Sequence, residues 1–121
     1  MYKTIMLKNK RLIIVMPVYN EEQIIKKVVL DWLKIAKKYD GKLLIINDGS
    51  TDRTKKILND IKNINLIKIH QKNSGHGKTL INGYRYALRK KFFYIFQVDS
   101  DNQFSSSDFI KLWKKKDKYD F

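Results

Sequence analysis

Four short apolar runs punctuate the chain, and each gives way to a polar cluster that leads into a segment of helical spacing. The runs are centred on Leu12-Ile13-Ile14-Val15-Met16, Leu43-Leu44-Ile45-Ile46, Leu66-Ile67-Lys68-Ile69 and Phe92-Phe93-Tyr94-Ile95-Phe96. Their length and the polar residues that bound them predict strands over about Leu12–Met16, Lys42–Asn47, Leu66–His70 and Phe92–Val98. Between and after them the spacing predicts helices over about Glu21–Tyr39, Thr51–Lys62, Lys78–Lys90 and Ser106–Lys116. Repeated strand, loop and helix is the pattern of an open, mostly parallel α/β sheet with flanking helices. The Phe92–Val98 strand is expected to be central. Ligands of such sheets bind beyond the carboxyl ends of the strands. All four polar loops fall on that edge, so Asp48, Asp99 and Asp101 are expected to face one crevice.

The helical segments carry their own core pattern. Ile24, Ile25, Val28, Val29, Trp32, Leu33, Ile35 and Ala36 recur at helical spacing, so this face should pack on the sheet. Tyr84, Ala87 and Leu88 do the same in the third helix. Pro17 lacks the N–H a central ladder needs and is expected to end the first strand. Ser50, Thr51 and Asp52 are each able to cap the second helix.

Candidate chemistry concentrates in Asp99-Ser100-Asp101-Asn102-Gln103, delivered by the aromatic fourth run. Carboxylates at i and i+2 share a face of extended chain and can converge near a strand end. Oxygen-only ligands of this kind suit a hard divalent cation, Mg²⁺ or Mn²⁺. The same residues also form an ordinary Asp/Asn/Ser turn that needs no ligand. Gly77-Lys78-Thr79 resembles the end of a P-loop, but that pattern needs glycine where Lys72 stands, so an ATP-binding loop is set aside. His70 and His76 do not have zinc-ligand spacing.

Composition narrows the classes further. A chain of 121 residues, 43% hydrophobic, makes one domain with a workable core. There is no cysteine and hence no disulfide framework, which fits a reducing, cytoplasmic setting. No apolar run reaches the about 18 residues of a membrane span. Residues 1–10 read as a basic leader without the apolar stretch of a signal peptide. The net charge of +14 raises nucleic acid as a partner, yet only four of the 26 basic residues are arginine, the usual bidentate reader of bases. The lysines fall on polar helix faces, and nucleic acid is discounted. Lys111, Lys114, Lys115, Lys116 and Lys118 around Trp113 could touch the anionic cytoplasmic face of a membrane. The favoured alternative is a solvated helix with Leu112 and Trp113 in the core.

Pro17-Val18-Tyr19-Asn20-Glu21, Asn47-Asp48-Gly49-Ser50-Thr51-Asp52, the Asn73-to-Gly77 loop and Asp99-Ser100-Asp101-Asn102-Gln103 stand in one order and register. That order resembles the family 2 glycosyltransferases of the GT-A fold. The fourth motif is most similar to the polyprenyl-phosphate sugar transferases, the dolichyl-phosphate mannose synthase group. The resemblance implies that 11–121 is the nucleotide-sugar-binding half of a GT-A domain. It implies that Pro17, Tyr19 and Glu21 hold the base and ribose of a UDP- or GDP-linked sugar. Ile46 and Asp48 would continue that pocket, and Asp99 and Ser100 would lie against ribose and diphosphate. Asp101 would hold the Mg²⁺ or Mn²⁺, with Gln103 and Asp99 beside it. Outside the resemblance, Glu21 also reads as a helix-start acid and Asp48-Gly49 as a plain turn pair.

The reaction implied is an inverting transfer, in which an acceptor oxygen attacks the sugar C1 as the nucleoside diphosphate leaves. The acceptor would be a lipid-linked polyprenyl phosphate or a glycan, as in cell-envelope synthesis. The resembled family continues past the point where this sequence stops, so the chain reads as truncated. No residue here is assigned as the base, and the 121-residue chain is expected to transfer no sugar at a useful rate. The alternative is a catalytically inactive nucleotide-binding or interaction module. A nucleotidyltransferase is disfavoured, because no dense Gly-Arg-Lys loop follows the first strand.

Overall fold

A computed structural model describes residues 12–101 and 105–115. It contains four strands, β1 (Leu12–Val18), β2 (Lys42–Asp48), β3 (Leu66–Gln71) and β4 (Tyr94–Gln97). Four helices alternate with them: α1 (Ile25–Lys38), α2 (Thr54–Asp60), α3 (His76–Arg89) and α4 (Ser106–Lys115). The strands form one open parallel sheet in the order β3-β2-β1-β4. The fold class expected from the sequence is the one observed.

β1 lies between β2 and β4 and is buried throughout, because both of its faces are covered. Leu12, Ile14 and Met16 join Leu43 and Ile45 in a core beneath α1, which contributes Ile25, Val28, Val29, Trp32 and Ala36. Phe109 and Trp113 of α4 close that core through an aromatic cluster. Phe109 meets Phe96 at 4.7 Å and Trp32 at 5.7 Å between ring centroids, and Trp113 meets Tyr94 at 5.1 Å. On the opposite face Ile13, Val15, Leu44 and Ile46 pack against Ala87 of α3. Here α3 lies very close to the sheet. A Cβ on Gly83 would come within 2.5 Å of Val15 Cγ1, so only glycine fits.

Several expectations need correction. The fourth strand is the edge of the described sheet, not its centre, and it is shorter than the aromatic run. Lys91 takes a left-handed φ of 61°, and the Phe92 N–H closes α3 onto the Ala87 carbonyl instead of joining a ladder. Pro17 does not end β1, which continues through Val18 with Pro17 opposite Ile46 of β2. Backbone polar groups alternate sides along a strand, and the Val15 carbonyl accepts from the Val98 N–H. Pro17 therefore turns its donorless nitrogen to the same side, past the end of the β4 ladder, where no N–H is required.

Leu88 and Leu112 are exposed, at 67% and 52%, and belong to no core, whereas Trp113 is buried as expected. α1 begins at Ile25 rather than Glu21, because the Glu21 carbonyl first closes a turn with the N–H groups of Ile24 and Ile25. α2 begins at Thr54, and Asp52 serves its start by accepting from the Thr54 N–H at 2.9 Å. Among the described residues no helix is long and apolar enough to cross a membrane.

Candidate functional site

The strand order fixes where a ligand can enter. From β1 the chain steps outward to β2 and β3, with α1 and α2 on one face. It then crosses through α3 on the other face to pair β4 with the far side of β1. The connections thus diverge on either side of β1, and the carboxyl ends of β1 and β4 border the crevice at this switch point. A cavity of about 440 Å³ opens there. Pro17 and Val18 of β1, Tyr19 and Glu21 of the loop after it, and Asp48 of β2 line it. Asn73, Gly75, His76 and Thr79 line it from the β3–α3 connection, and Asp99, Ser100 and Asp101 from the end of β4.

The structure therefore brings together seven of the residues selected from the sequence: Pro17, Tyr19, Glu21, Asp48, Asp99, Ser100 and Asp101. Ile46 is not among them. It is 0% exposed and packs in the core under α3, two residues short of the sheet edge, so its side chain cannot reach a ligand. Gln103 lies outside the described residues. The walls given by Asn73, His76 and Thr79 were missed as site residues. The available signal was the Asn73-to-Gly77 motif, whose tight turn places Gly75 at φ 96°.

Much of the polar sequence around the cavity builds loops. Asn20, itself left-handed at φ 51°, donates its N–H to Ser50 Oγ, and its Oδ1 accepts from the N–H of Thr51 at 2.7 Å and of Asp52 at 3.3 Å. The Glu21 N–H donates to Thr54 Oγ1, and the Glu22 N–H to Asp52. These bonds clamp the loop after β1 to the loop after β2. Asn47 extends the clamp inward. Its Oδ1 accepts from Ser50, and its amide donates to His70 Nδ1, while His70 Nε2–H donates to Asn59 at 2.8 Å. Burial, then the charges of Lys55 and Lys68, hold the His70 pKa below the usual histidine value, consistent with this neutral arrangement.

The carboxylates divide into two kinds. Asp48 is 5% exposed. Its Oδ1 accepts from the Ser74 N–H at 2.7 Å and from Gln71 Nε2 at 3.0 Å, and its Oδ2 accepts from the Gly75 N–H at 3.0 Å. Burial pushes its pKa up, but these bonds outweigh burial and hold it below the usual carboxylate value. Asp99 and Asp101, by contrast, are exposed on the cavity rim. Glu21 lines the same cavity from the loop after β1. Burial, followed by the negative charges of Asp101 and Asp52, raises its pKa.

Asp99 and Asp101 provide the hard oxygen donors that Mg²⁺ or Mn²⁺ takes. Among the described residues no group of three ligating side chains forms a cage. The P-loop-like segment has another use: Thr79 Oγ1 donates to the Gly75 carbonyl at 2.6 Å, and Lys78 is exposed.

Comparison with known proteins adds to this geometry. A profile of the family described as Glycosyl transferase family 2 matches residues 13–121. An uncharacterised protein of Methanocaldococcus jannaschii is 36% identical over 86% of this chain and 46% of its own length. The UDP-N-acetylglucosamine–dolichyl-phosphate N-acetylglucosaminyltransferase of Methanococcus voltae is 29% identical over 86% of this chain and 46% of its own. The crystal structure of residues 1–349 of TarS from S. aureus superposes with a TM-score of 0.64 at 24% identity, covering 89% of this chain and 32% of that one. The chain thus spans under half the length of these relatives, and the TarS likeness shows the fold.

Proposed function

The chain belongs to glycosyl transferase family 2, and on that premise we propose that its cavity binds the nucleoside diphosphate of a nucleotide sugar together with a divalent cation. The observation that carries this reading is the convergence of Pro17, Tyr19 and Glu21 with Asp99, Ser100 and Asp101 at the switch point of the sheet. Tyr19 is 48% exposed, an aromatic ring on the rim beside the cavity. With Pro17 and Glu21 it takes the base and ribose. Asp99 and Ser100 lie against ribose and diphosphate, and Asp101, with Asp99, holds Mg²⁺ or Mn²⁺. A bound cation of this kind stabilises the negative charge that grows on a leaving diphosphate.

The whole protein's reaction is then an inverting sugar transfer from a UDP- or GDP-linked donor. The name of the M. voltae relative supports a lipid-linked acceptor, a polyprenyl phosphate. Such an acceptor would bring the chain to an anionic membrane surface, and exposed Lys111, Lys114 and Lys115 of α4 supply charge for that contact.

Calorimetric titration of UDP and of GDP into the chain, with and without Mn²⁺, tests the proposal. One of the two should bind more tightly with the cation, and Asp101→Ala should remove the cation's effect. Equal affinity with and without Mn²⁺, unchanged in the variant, would contradict it.

A further inference from the structure

In a chain of net charge +14, the nucleotide cavity is lined by Glu21, Asp48, Asp99 and Asp101 and, among the described residues, by no lysine or arginine. The positive charge gathers elsewhere. α1 turns Ile25, Val28, Val29 and Trp32 to the core, which leaves its other side to solvent. A hollow of about 670 Å³ lies along that outer side. Lys26, Lys27, Leu30, Lys34 and Lys37 line it from α1, and Asn63 lines it from the α2–β3 connection. Among the described residues Lys27 pairs with Asp31 at 3.0 Å, while Lys26, Lys34 and Lys37 form no ion pair.

Two apolar side chains stand out in this basic surface. Leu30 is 42% exposed among the lysines, and Ile64, next to Asn63, is 87% exposed. The loop that carries Ile64 is tied down. Asn63 Oδ1 accepts from the Asn65 N–H at 2.8 Å, Asn65 Nδ2 donates to the Gly41 carbonyl at 2.9 Å, and Lys42 Nζ donates to the Ile64 carbonyl at 3.0 Å. With its backbone bound to the start of β2, the loop presents the isoleucine outward, where it gains free energy only when something apolar covers it. On the other face of the sheet α3 also exposes Leu88, but Arg89 and Lys90 there lie over the Tyr86 ring, at 5.7 and 5.8 Å from its centroid.

We propose that the outer side of α1, with the Ile64 loop, docks on an anionic membrane: its lysines meet lipid phosphates, and Leu30 and Ile64 enter the headgroup boundary. The proposal rests on the lipid-linked acceptor of the reading above and gives that acceptor's membrane a defined side of the molecule. α4 packs on the same face of the sheet, so its lysines add to the same field. Protruding apolar tips among lysines, with no arginine lining the hollow, suit a fluid anionic interface, which calls for charge and insertion rather than bidentate geometry.

Co-sedimentation with vesicles tests it. The chain should bind vesicles of phosphatidylglycerol and phosphatidylcholine, come off as salt is raised, and leave phosphatidylcholine alone unbound. Lys34→Gln with Lys37→Gln should weaken binding about thirtyfold. Leu30→Ser with Ile64→Ser, which leaves the charge unchanged, should weaken it about tenfold. The charge-matched pair Arg85→Gln with Arg89→Gln on α3 should leave it nearly unchanged. Equal losses from the α1 and α3 pairs would make binding a property of total charge and overturn the proposal. Full binding by the Leu30 and Ile64 variant would mark a purely electrostatic patch and overturn it too, as would a parent chain that binds no vesicles. The lysine pair and the apolar pair are independent, so either decides if the other fails to fold. Titration with UDP and GDP keeps the two readings apart. A chain that docks through α1 but binds neither nucleotide refutes the reading of the cavity alone, and one that binds a nucleotide but no vesicles refutes the docking alone.

Discussion

The two sides of the cavity treat their aspartates in opposite ways. On the β2 side, Asp48 is buried and its oxygens receive N–H groups from the β3–α3 connection. On the β4 side, Asp99 and Asp101 stand exposed on the rim, close enough to Glu21 for the Asp101 charge to raise its pKa. A carboxylate that accepts backbone donors does structural work, because it ties the loop carrying Ser74 and Gly75 to the end of β2. On the β4 side, burial and then the negative charge of Asp101 raise the Glu21 pKa, and a cation held there would relieve that repulsion.

Substitutions on the two sides should separate stability from binding. Gly49 on the β2 side has φ +69° and no room for a Cβ against Asn73. Gly49→Ala is expected to cost about 2–4 kcal/mol, from overpacking and left-handed strain together, as read by urea denaturation. Asp99→Ala on the β4 side should stay within about 0.5 kcal/mol of the parent by the same assay, since it removes an exposed side chain. A reversal of that order would dissolve the contrast between the two sides.

A smaller effect should come from His70, which anchors the β2 side through Asn47 and Asn59. Its folded pKa lies below the ordinary value of 6.5, so the unfolded chain takes up the proton first as pH falls. The stability it contributes is present in full above 6.5 and is lost as pH drops from there toward the folded value. Denaturation midpoints at pH 7.5 and at about pH 5.5 should differ by less in His70→Gln than in the parent chain. An identical pH dependence in the two would show that the neutral Asn47–His70–Asn59 arrangement is not what His70 contributes.

The sequence made some of these features legible and hid others. β1 and β2 were visible because continuous apolar runs mark strands buried on both faces, and the exposed acids were visible because they follow such runs. Strand order was not, since periodicity says which residues face a core but not which strand lies beside which. β4 therefore read as central when it is the described edge. Ile46 and Asp48 share one face of β2, and sequence spacing treats them alike. Ile46, however, lies under α3, while Asp48 emerges beyond the helix start. Pro17 read as a strand end because the side to which its nitrogen points depends on where β4 stops. The partners of Asn47, His70 and Asn59 come from three elements, which no local pattern links.

Amide exchange of the unmodified chain, with and without Mn²⁺ and whichever of UDP and GDP binds, tests the contrast most directly. The account predicts that Ser74 and Gly75 exchange slowly in both states, because Asp48 already holds their N–H groups. Asp99, Ser100 and Asp101 should slow only when cation and nucleotide are present together. Fast exchange at Ser74 and Gly75 that slows on binding, with no change from Asp99 to Asp101, would contradict it.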